Sequence, residues 1–303
     1  RPEQDESDLL TRWHVDVSGP HTTSRLGAHR YATVFVAKGG TTLVYFSPNM
    51  LNFQDIQRQF IDDVRKMHSE LPGDPVIDVH AASWRDGHHV TTDGAKYFTS
   101  APAQALWQRE KFAFHVSAPL TPALNGAAER KIRTLNSSAK CMLLFRDQPA
   151  NMWPEAWRCA RAVDDLMPTN SDPSRLSPYT QRTGKQPDLS TLHPAFCPVY
   201  VWQNSADRDK EAPGARKGVY IGPDPMTDCC AVLIEGATRA QRVTSRHIRV
   251  IEDLPGRVSN ALVMSQYHVV DPDVDVDLEC IDIDQVLQEQ RHPDPDTINL
   301  DYY

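Results

Sequence analysis

Two hydrophobic periods alternate along the first half of the chain. "RWHVDVSG" (residues 12–19), "HRYATVFVAKG" (29–39) and "TTLVYFSP" (41–48) are short runs rich in β-branched and aromatic residues, bounded by Gly and polar turns, and they predict three strands. Gly39-Gly40 between the second and third suits a hairpin. The period then changes. In "NFQDIQRQFIDDVRKMHSEL" (52–71), Phe53, Ile56, Phe60, Ile61, Val64 and Met67 recur at helical spacing, and Pro72-Gly73 ends the run. A short β signal around "HHVTTDG", a helix near 99–110 and a strand at "FAFHVSAP" follow.

A long helix is expected from Asn125 to about Arg146, burying Ile132, Leu135, Ala139, Met142 and Leu143 at steps of three and four. That leaves Glu129, Arg133 and Asn136 along an adjacent stripe. A further helix at about 151–166 carries Trp153 and Trp157, and "MPTNSDPSRLSPYTQRTGKQPD" (167–188) reads as a connector rich in Pro, Ser and Thr. Short β runs at "CPVYVWQ", "RKGVYIGP", "CCAVLIE" and "RVTSRHIRVIE" predict a small second β domain at about 195–252. The order β-β-β-α-β-α-β-α ahead of it is that of a mixed α/β sheet flanked by helices.

Charge changes this picture at one end only. The formal net charge is −8, but residues 252–303 hold 13 acids and two arginines, or −11, while residues 1–251 hold 27 acids and 30 bases, or +3. "DPDVDVDLECIDID" (271–284) therefore reads as part of an acidic tail without regular structure, and the rest of the chain has no excess of negative charge to keep it from nucleic acid. No apolar run approaches the roughly 20 residues of a membrane span, and nothing at the start resembles a signal peptide. An intracellular chain is expected, as a segment of something longer. The six cysteines (Cys141, Cys159, Cys197, Cys229, Cys230 and Cys280) contain no C-x-x-C, so neither a disulfide framework nor a zinc site is predicted.

Three acids in three different elements are the candidate chemistry: Asp16 and Asp93 end strands, and Glu129 opens a helix behind "PLTPALNG". A few carboxylates are enough to hold divalent ions against a phosphodiester. The gap of 35 residues between Asp93 and Glu129 says little alone, since 29 Asp and 11 Glu in 303 residues produce such a pair about once by chance. Asp74 with Glu110 and Asp253 with Glu289 have the same gap but lack the strand-end and helix-start setting. Arg130, Lys131 and Arg133 surround Glu129, a pattern that is most often a solvated helix face. Arg208, Lys210, Arg216, Lys217, Arg239, Arg242, Arg246 and Arg249 crowd the second β region, either as a nonspecific DNA surface or as solvated strand faces.

The segments "DVSGP", "TTDGAKYF" and "SAPLTPALNGAAERKIRTL" resemble the three catalytic stretches of retroviral-type integrases, the D,D-35-E polynucleotidyl transferases. "SPYTQRTGKQPDL", "CPVYVWQ" and "ARKGVYIGPDP" look more specifically like Ty1/copia retrotransposon integrases, and the likeness runs from about residue 12 to 252. The resemblance implies a ribonuclease H-like core at 8–187 after a linker at 1–7. A connector at 188–194, an SH3-like β-barrel at 195–252 and the acidic tail at 253–303 complete the expected division. It implies that Asp16, Asp93 and Glu129 are catalytic and bind two Mg²⁺ or Mn²⁺ ions, with 3′-end processing followed by strand transfer. DNA contacts are implied for Arg133, Asn136, Arg130, Lys131 and Asn125. The implied partners are double-stranded DNA, from element ends and target, and further copies of the chain; no membrane is involved. The implied location is the nucleus, after an intracellular particle stage. Two departures stand out: Asp93-Gly94-Ala95 where the family commonly has Asp-Asn-Gly, and Ala123-Leu124 where it favours polar residues. The family's amino-terminal zinc domain has no counterpart in this chain. A domesticated or decayed element protein that binds DNA without cutting it is the alternative.

Overall fold

Alternation along the first strand decides which way its acid faces. In β1 (Arg12–Ser18), Trp13 and Val15 are buried, so His14 and Asp16 project to the opposite face of the sheet. β1 pairs antiparallel with β2 (Tyr31–Ala37), which pairs with β3 (Thr42–Ser47) across a tight turn at Gly40, where φ is +87°. The other edge of β1 takes β4 (His89–Thr92) in parallel, and β4 takes β5 (Ala113–Val116) in parallel. The result is a five-stranded mixed sheet in the order β3-β2-β1-β4-β5. The structure is a computed structural model and describes residues 10–51, 53–69, 88–117, 125–168, 176–203, 213–224, 227, 229–235 and 240–252.

One face of this sheet is closed by α1 (Phe53–Ser69), with α2 (Lys96–Thr99) and α3 (Ala101–Arg109) beside it. Trp13, Val15, Phe35 and Val90 pack there against Phe53, Ile56, Phe60, Ile61 and Val64, and Phe35 stacks on Phe60 with ring centroids 4.0 Å apart. Full burial of each such side chain is worth about 1.5–3 kcal/mol. The other face carries Ala32, Val34 and Val36, covered by α4 (Gly126–Phe145) through Ala128, Leu135 and Ala139 and by α5 (Trp153–Leu166) through Trp153, Ala156 and Trp157. Asp16 pairs with Val34, so it lies on the α4 side. A turn of 3₁₀ helix, Ala150–Met152, leads into α5.

A second five-stranded sheet follows, built from β6 (Pro198–Trp202), β7 (Ala215–Pro223), β8 (Cys230–Glu235), β9 (Ala240–Ser245) and β10 (Ile248–Val250), in the order β10-β6-β7-β8-β9. Its strands pair antiparallel throughout. Phe196, Val219, Ile221, Ala231 and Leu233 share one buried cluster with the α4 and α5 side chains. At Gly222, where φ is +114°, a Cβ would stand 3.4 Å from the Cys159 sulfur, so α5 lies directly on this sheet. Both sheets fall within one compact unit, Arg1–Val263; the second unit, Met264–Tyr303, contains no described residue, and the expected acidic tail lies outside them too.

The segment 167–188, read as a connector, contains a helix. α6 (Pro178–Thr183) has the punctuation of one in miniature: the Ser177 hydroxyl accepts from the Thr180 N–H at 3.1 Å, Pro178 opens the first turn, and Gly184 closes it at φ +66°. Arg182 anchors it, donating from both terminal nitrogens to the Asp165 carboxylate at 3.2 Å with both side chains buried. The helix expected near 99–110 is α3; a further short helix, α2, precedes it, separated by the extended Ser100, with Pro102 in the first turn of α3.

Candidate active site

Asp16 and Asp93 meet because their strands are in register. β1 and β4 pair Arg12 with His89, Trp13 with Val90 and His14 with Thr91, a constant offset of 77 residues that carries Asp16 to Asp93. The two acids thus stand at the same height on neighbouring strands, Asp93 just past the end of β4. The Asp16 carboxylate accepts the Val17 N–H at 2.7 Å, and the Asp93 carboxylate accepts the Ala95 N–H at 3.2 Å in the turn into α2. Glu129 lies in the first turn of α4, exposed, on the helix that covers this face.

The Asp16 carboxyl feels the charge of both other acids. Burial pushes the Asp16 carboxyl up to about 6; the Val17 N–H opposes this, and the Asp93 and Glu129 carboxylates add to it. Tyr97, half-buried on α2, is pushed up to about 12 by burial and then by Asp93 and Asp16, which places a phenol beside the two acids. Sequence reasoning missed Tyr97, although it stood in the quoted "TTDGAKYF". Among the described residues no three His, Cys, Asp or Glu form a group close enough to hold a metal ion. Repulsion among the three like charges works against their closing into one.

Of the rival acids at the same spacing, Glu110 is occupied by Arg65 at 2.6 Å and Arg109 at 3.1 Å, while Asp74, Asp253 and Glu289 lie outside the described residues. The expected DNA contacts divide. Arg130 and Arg133 are exposed on α4, and Asn136 is half-buried one turn further on. Lys131 is engaged within the fold: its ammonium binds both oxygens of Asp164 on α5, at 2.7 and 3.0 Å, with both side chains largely buried. Asn125 is also turned inward. It is 5% exposed, and its amide donates to the Val15 carbonyl at 3.2 Å. Neither role was legible, because both partners lie far away in sequence.

On the second sheet, Arg249, Tyr200 and Lys217 pair across β10, β6 and β7, making an exposed row of one aromatic ring between two cations. Trp202, two residues along β6, is 67% exposed beside it. Arg242 is held by Asp224 at 3.5 Å, and Arg208, Lys210 and Arg239 lie outside the described residues. Among the described residues no helix is long and apolar enough to cross a membrane.

No family model matches the chain. It is 28% identical over 154 residues to the retrovirus-related Pol polyprotein from transposon RE1 of Arabidopsis thaliana, a match covering 49% of this chain and 10% of that polyprotein. Against the retrovirus-related Pol polyprotein from transposon RE2 of the same plant it is 26% identical over 136 residues, covering 45% and 9%. The chain thus spans about a tenth of the length of these curated relatives. Among solved structures, a chain of the simian T-cell lymphotropic virus intasome in complex with PP2A regulatory subunit B56 gamma superposes with a TM-score of 0.42 at 13% identity, over 80% of this chain and 79% of that one. The HTLV-2 integrase catalytic core domain in complex with magnesium (trimeric form) gives 0.39 at 16% identity, over 56% and 95%. The resemblance to copia-type retrotransposon proteins that the motifs carry is therefore met by relatives: over about half its length, this chain is similar to the Pol polyproteins of plant transposons RE1 and RE2.

Proposed function

We propose that this chain is a retrotransposon integrase, a metal-dependent polynucleotidyl transferase with a ribonuclease H-like core at 8–187 and an SH3-like barrel at 195–252. The observation that carries the reading is the common height of Asp16 and Asp93 on adjacent parallel strands with Glu129 at the mouth of α4. Asp16, Asp93 and Glu129 are the catalytic acids. By donor type the set suits Mg²⁺ or Mn²⁺: three hard carboxylates, one of them carrying its charge against burial and the repulsion of the other two. Two bound ions would supply charge stabilisation to the attacking and leaving oxygens of a phosphodiester.

The protein's own part is positioning. Arg133 and Arg130 stand on the exposed side of α4 beside Glu129, where guanidinium groups hold DNA phosphates, with Asn136 next along the stripe. The Arg249–Tyr200–Lys217 row gives the second sheet a further cationic surface for double-stranded DNA. Further copies of the chain would pair two element ends, in the nucleus after assembly in an intracellular particle.

The test is a strand-transfer assay of the recombinant chain with Mn²⁺ or Mg²⁺, using duplex oligonucleotides carrying the element's own ends. Joined products that depend on Asp16, Asp93 and Glu129 support the reading. DNA binding with no trimming or joining would overturn it in favour of a binding module derived from an element. Cleavage confined to RNA·DNA hybrids would overturn it in favour of a ribonuclease.

A further inference from the structure

We propose that Asn125 is a positioning residue that sets Glu129 against Asp16. Its side-chain amide donates to the carbonyl of Val15, at 3.2 Å, and that carbonyl belongs to the peptide bond leading into Asp16. Its own backbone carbonyl accepts the N–H of Glu129 at 3.3 Å and of Ala128 at 3.1 Å. Two hydrogen bonds, both through this one residue, therefore connect the main chain at Asp16 to the main chain at Glu129.

The apolar contact of α4 with the sheet lacks that directionality. α4 covers the sheet through Ala128, Leu135 and Ala139 against Ala32, Val34 and Val36, an apolar contact that constrains height weakly because dispersion and burial have no direction. A hydrogen bond constrains distance and angle together. The β1–β4 ladder has its last pair at His14 and Thr91, so the Val15 carbonyl lies just beyond it, and the Asn125 amide takes the place of a strand partner. The Asn125 side chain does not cap α4, whose first turn shows no side-chain cap. The amide oxygen, Oδ1, is buried without a partner among the described residues, a cost that accompanies the Nδ2 donation. Asn125 acts through Glu129 rather than on substrate, and the inference rests on the metal-binding reading of the three acids.

The experiment measures Mn²⁺ binding to the full chain, without DNA, by the loss of the free-ion signal in electron paramagnetic resonance. Asn125→Leu keeps the volume and removes the donor; Asn125→Ala removes both. Each is compared with Glu129→Gln, with circular dichroism and affinity for a duplex oligonucleotide measured in parallel. The expectation is that both Asn125 variants fold, hold DNA within about threefold, and bind Mn²⁺ about 10–100-fold more weakly, the size of effect typical for residues that orient metal ligands. Wild-type Mn²⁺ affinity in either folded Asn125 variant, when Glu129→Gln loses it, overturns this proposal and leaves the proposed function standing. Unchanged Mn²⁺ affinity in Glu129→Gln instead overturns the metal reading itself. Failure of both Asn125 variants to fold, or a loss of DNA affinity as large as that of Mn²⁺ affinity, would show that the residue is merely structural and also overturn the proposal.

Discussion

Two sets of acids share one face of the molecule and live under opposite conditions. On α5, Glu155 is paired with Arg158 at 3.0 Å, Asp164 with Lys131 at 2.7 Å and Asp165 with Arg182 at 3.2 Å. Asp93, just past β4, and Glu129, in the first turn of α4, act through their charges on Asp16 of β1, and among the described residues none of the three acids has an ion-pair partner. Asp164 ties α5 to α4 and Asp165 ties it to α6, while Glu155 pairs within α5 itself. The unpaired acids contribute nothing of the kind, and one of them is pushed toward protonation by its surroundings. Under the proposed function, this arrangement opposes folding and persists because it serves chemistry, its oxygens recruiting divalent cations.

The sharpest way to break the contrast is to neutralise one acid of the unpaired set. Glu129→Gln keeps the size and helix propensity of the side chain, so fold and DNA affinity should hold, the latter level or slightly higher. End trimming and strand transfer should fall by about 10³-fold or more, as read from product formation on labelled duplexes. A Glu129→Gln protein that still joins ends would sink the mechanism.

The paired set should respond in the opposite currency. Arg182→Ala leaves the buried Asp165 charge uncompensated and should lower unfolding free energy by about 3–5 kcal/mol in urea titrations. Replacing Asp165 and Arg182 together by leucine should restore most of that loss. Activity per folded molecule should not change in either protein.

Acidity offers a gentler test of the unpaired set. Because the folded Asp16 carboxyl sits at about 6, above its ordinary range near 4, the folded state holds this proton more tightly than the unfolded chain. Its penalty is therefore complete above pH 6 and disappears as pH falls toward 4. Asp16→Asn should raise the melting temperature at pH 7.5 in a chelating buffer, with a gain that shrinks through pH 6 and is gone near pH 4, as followed by differential scanning fluorimetry. A gain that grew on acidification would refute the account.

Arg133→Ala should have the smallest effect: a few-fold loss of DNA affinity and a salt dependence shallower by about one unit of slope, with Mn²⁺ binding untouched. Lys131→Ala should differ from it by lowering stability first, since it strands Asp164 between α4 and α5.

What could be read from the chain tracks how local the cause is. The burial of Phe53, Ile56, Phe60, Ile61 and Val64 on α1 and of Leu135, Ala139 and Leu143 on α4 follows from helical spacing alone. α6 was legible in principle, since Ser177, Pro178 and Gly184 punctuate it, but six residues give too little apolar periodicity to outweigh the surrounding Pro and Ser. The last β run divides into β9 and β10 at Arg246 and His247, a break that residue type does not announce. At the site, the three acids stand out in the sequence by motif and setting, whereas the partners of Asn125 and Lys131 do not, because Val15 lies 110 residues and Asp164 33 residues away.

The shared register of β1 and β4 also says where the chain can change length. Between them run the β2–β3 hairpin, α1 and residues 70–87, and insertions in surface turns there leave the height of Asp16 and Asp93 untouched. Deleting a single residue inside β1 or β4 is another matter: successive side chains alternate faces, so one carboxylate would rotate to the α1 side of the sheet and the two acids would be separated by its full thickness. Length variation among functional relatives should accordingly collect in the turns of this stretch and spare the handful of positions that pair the two strands.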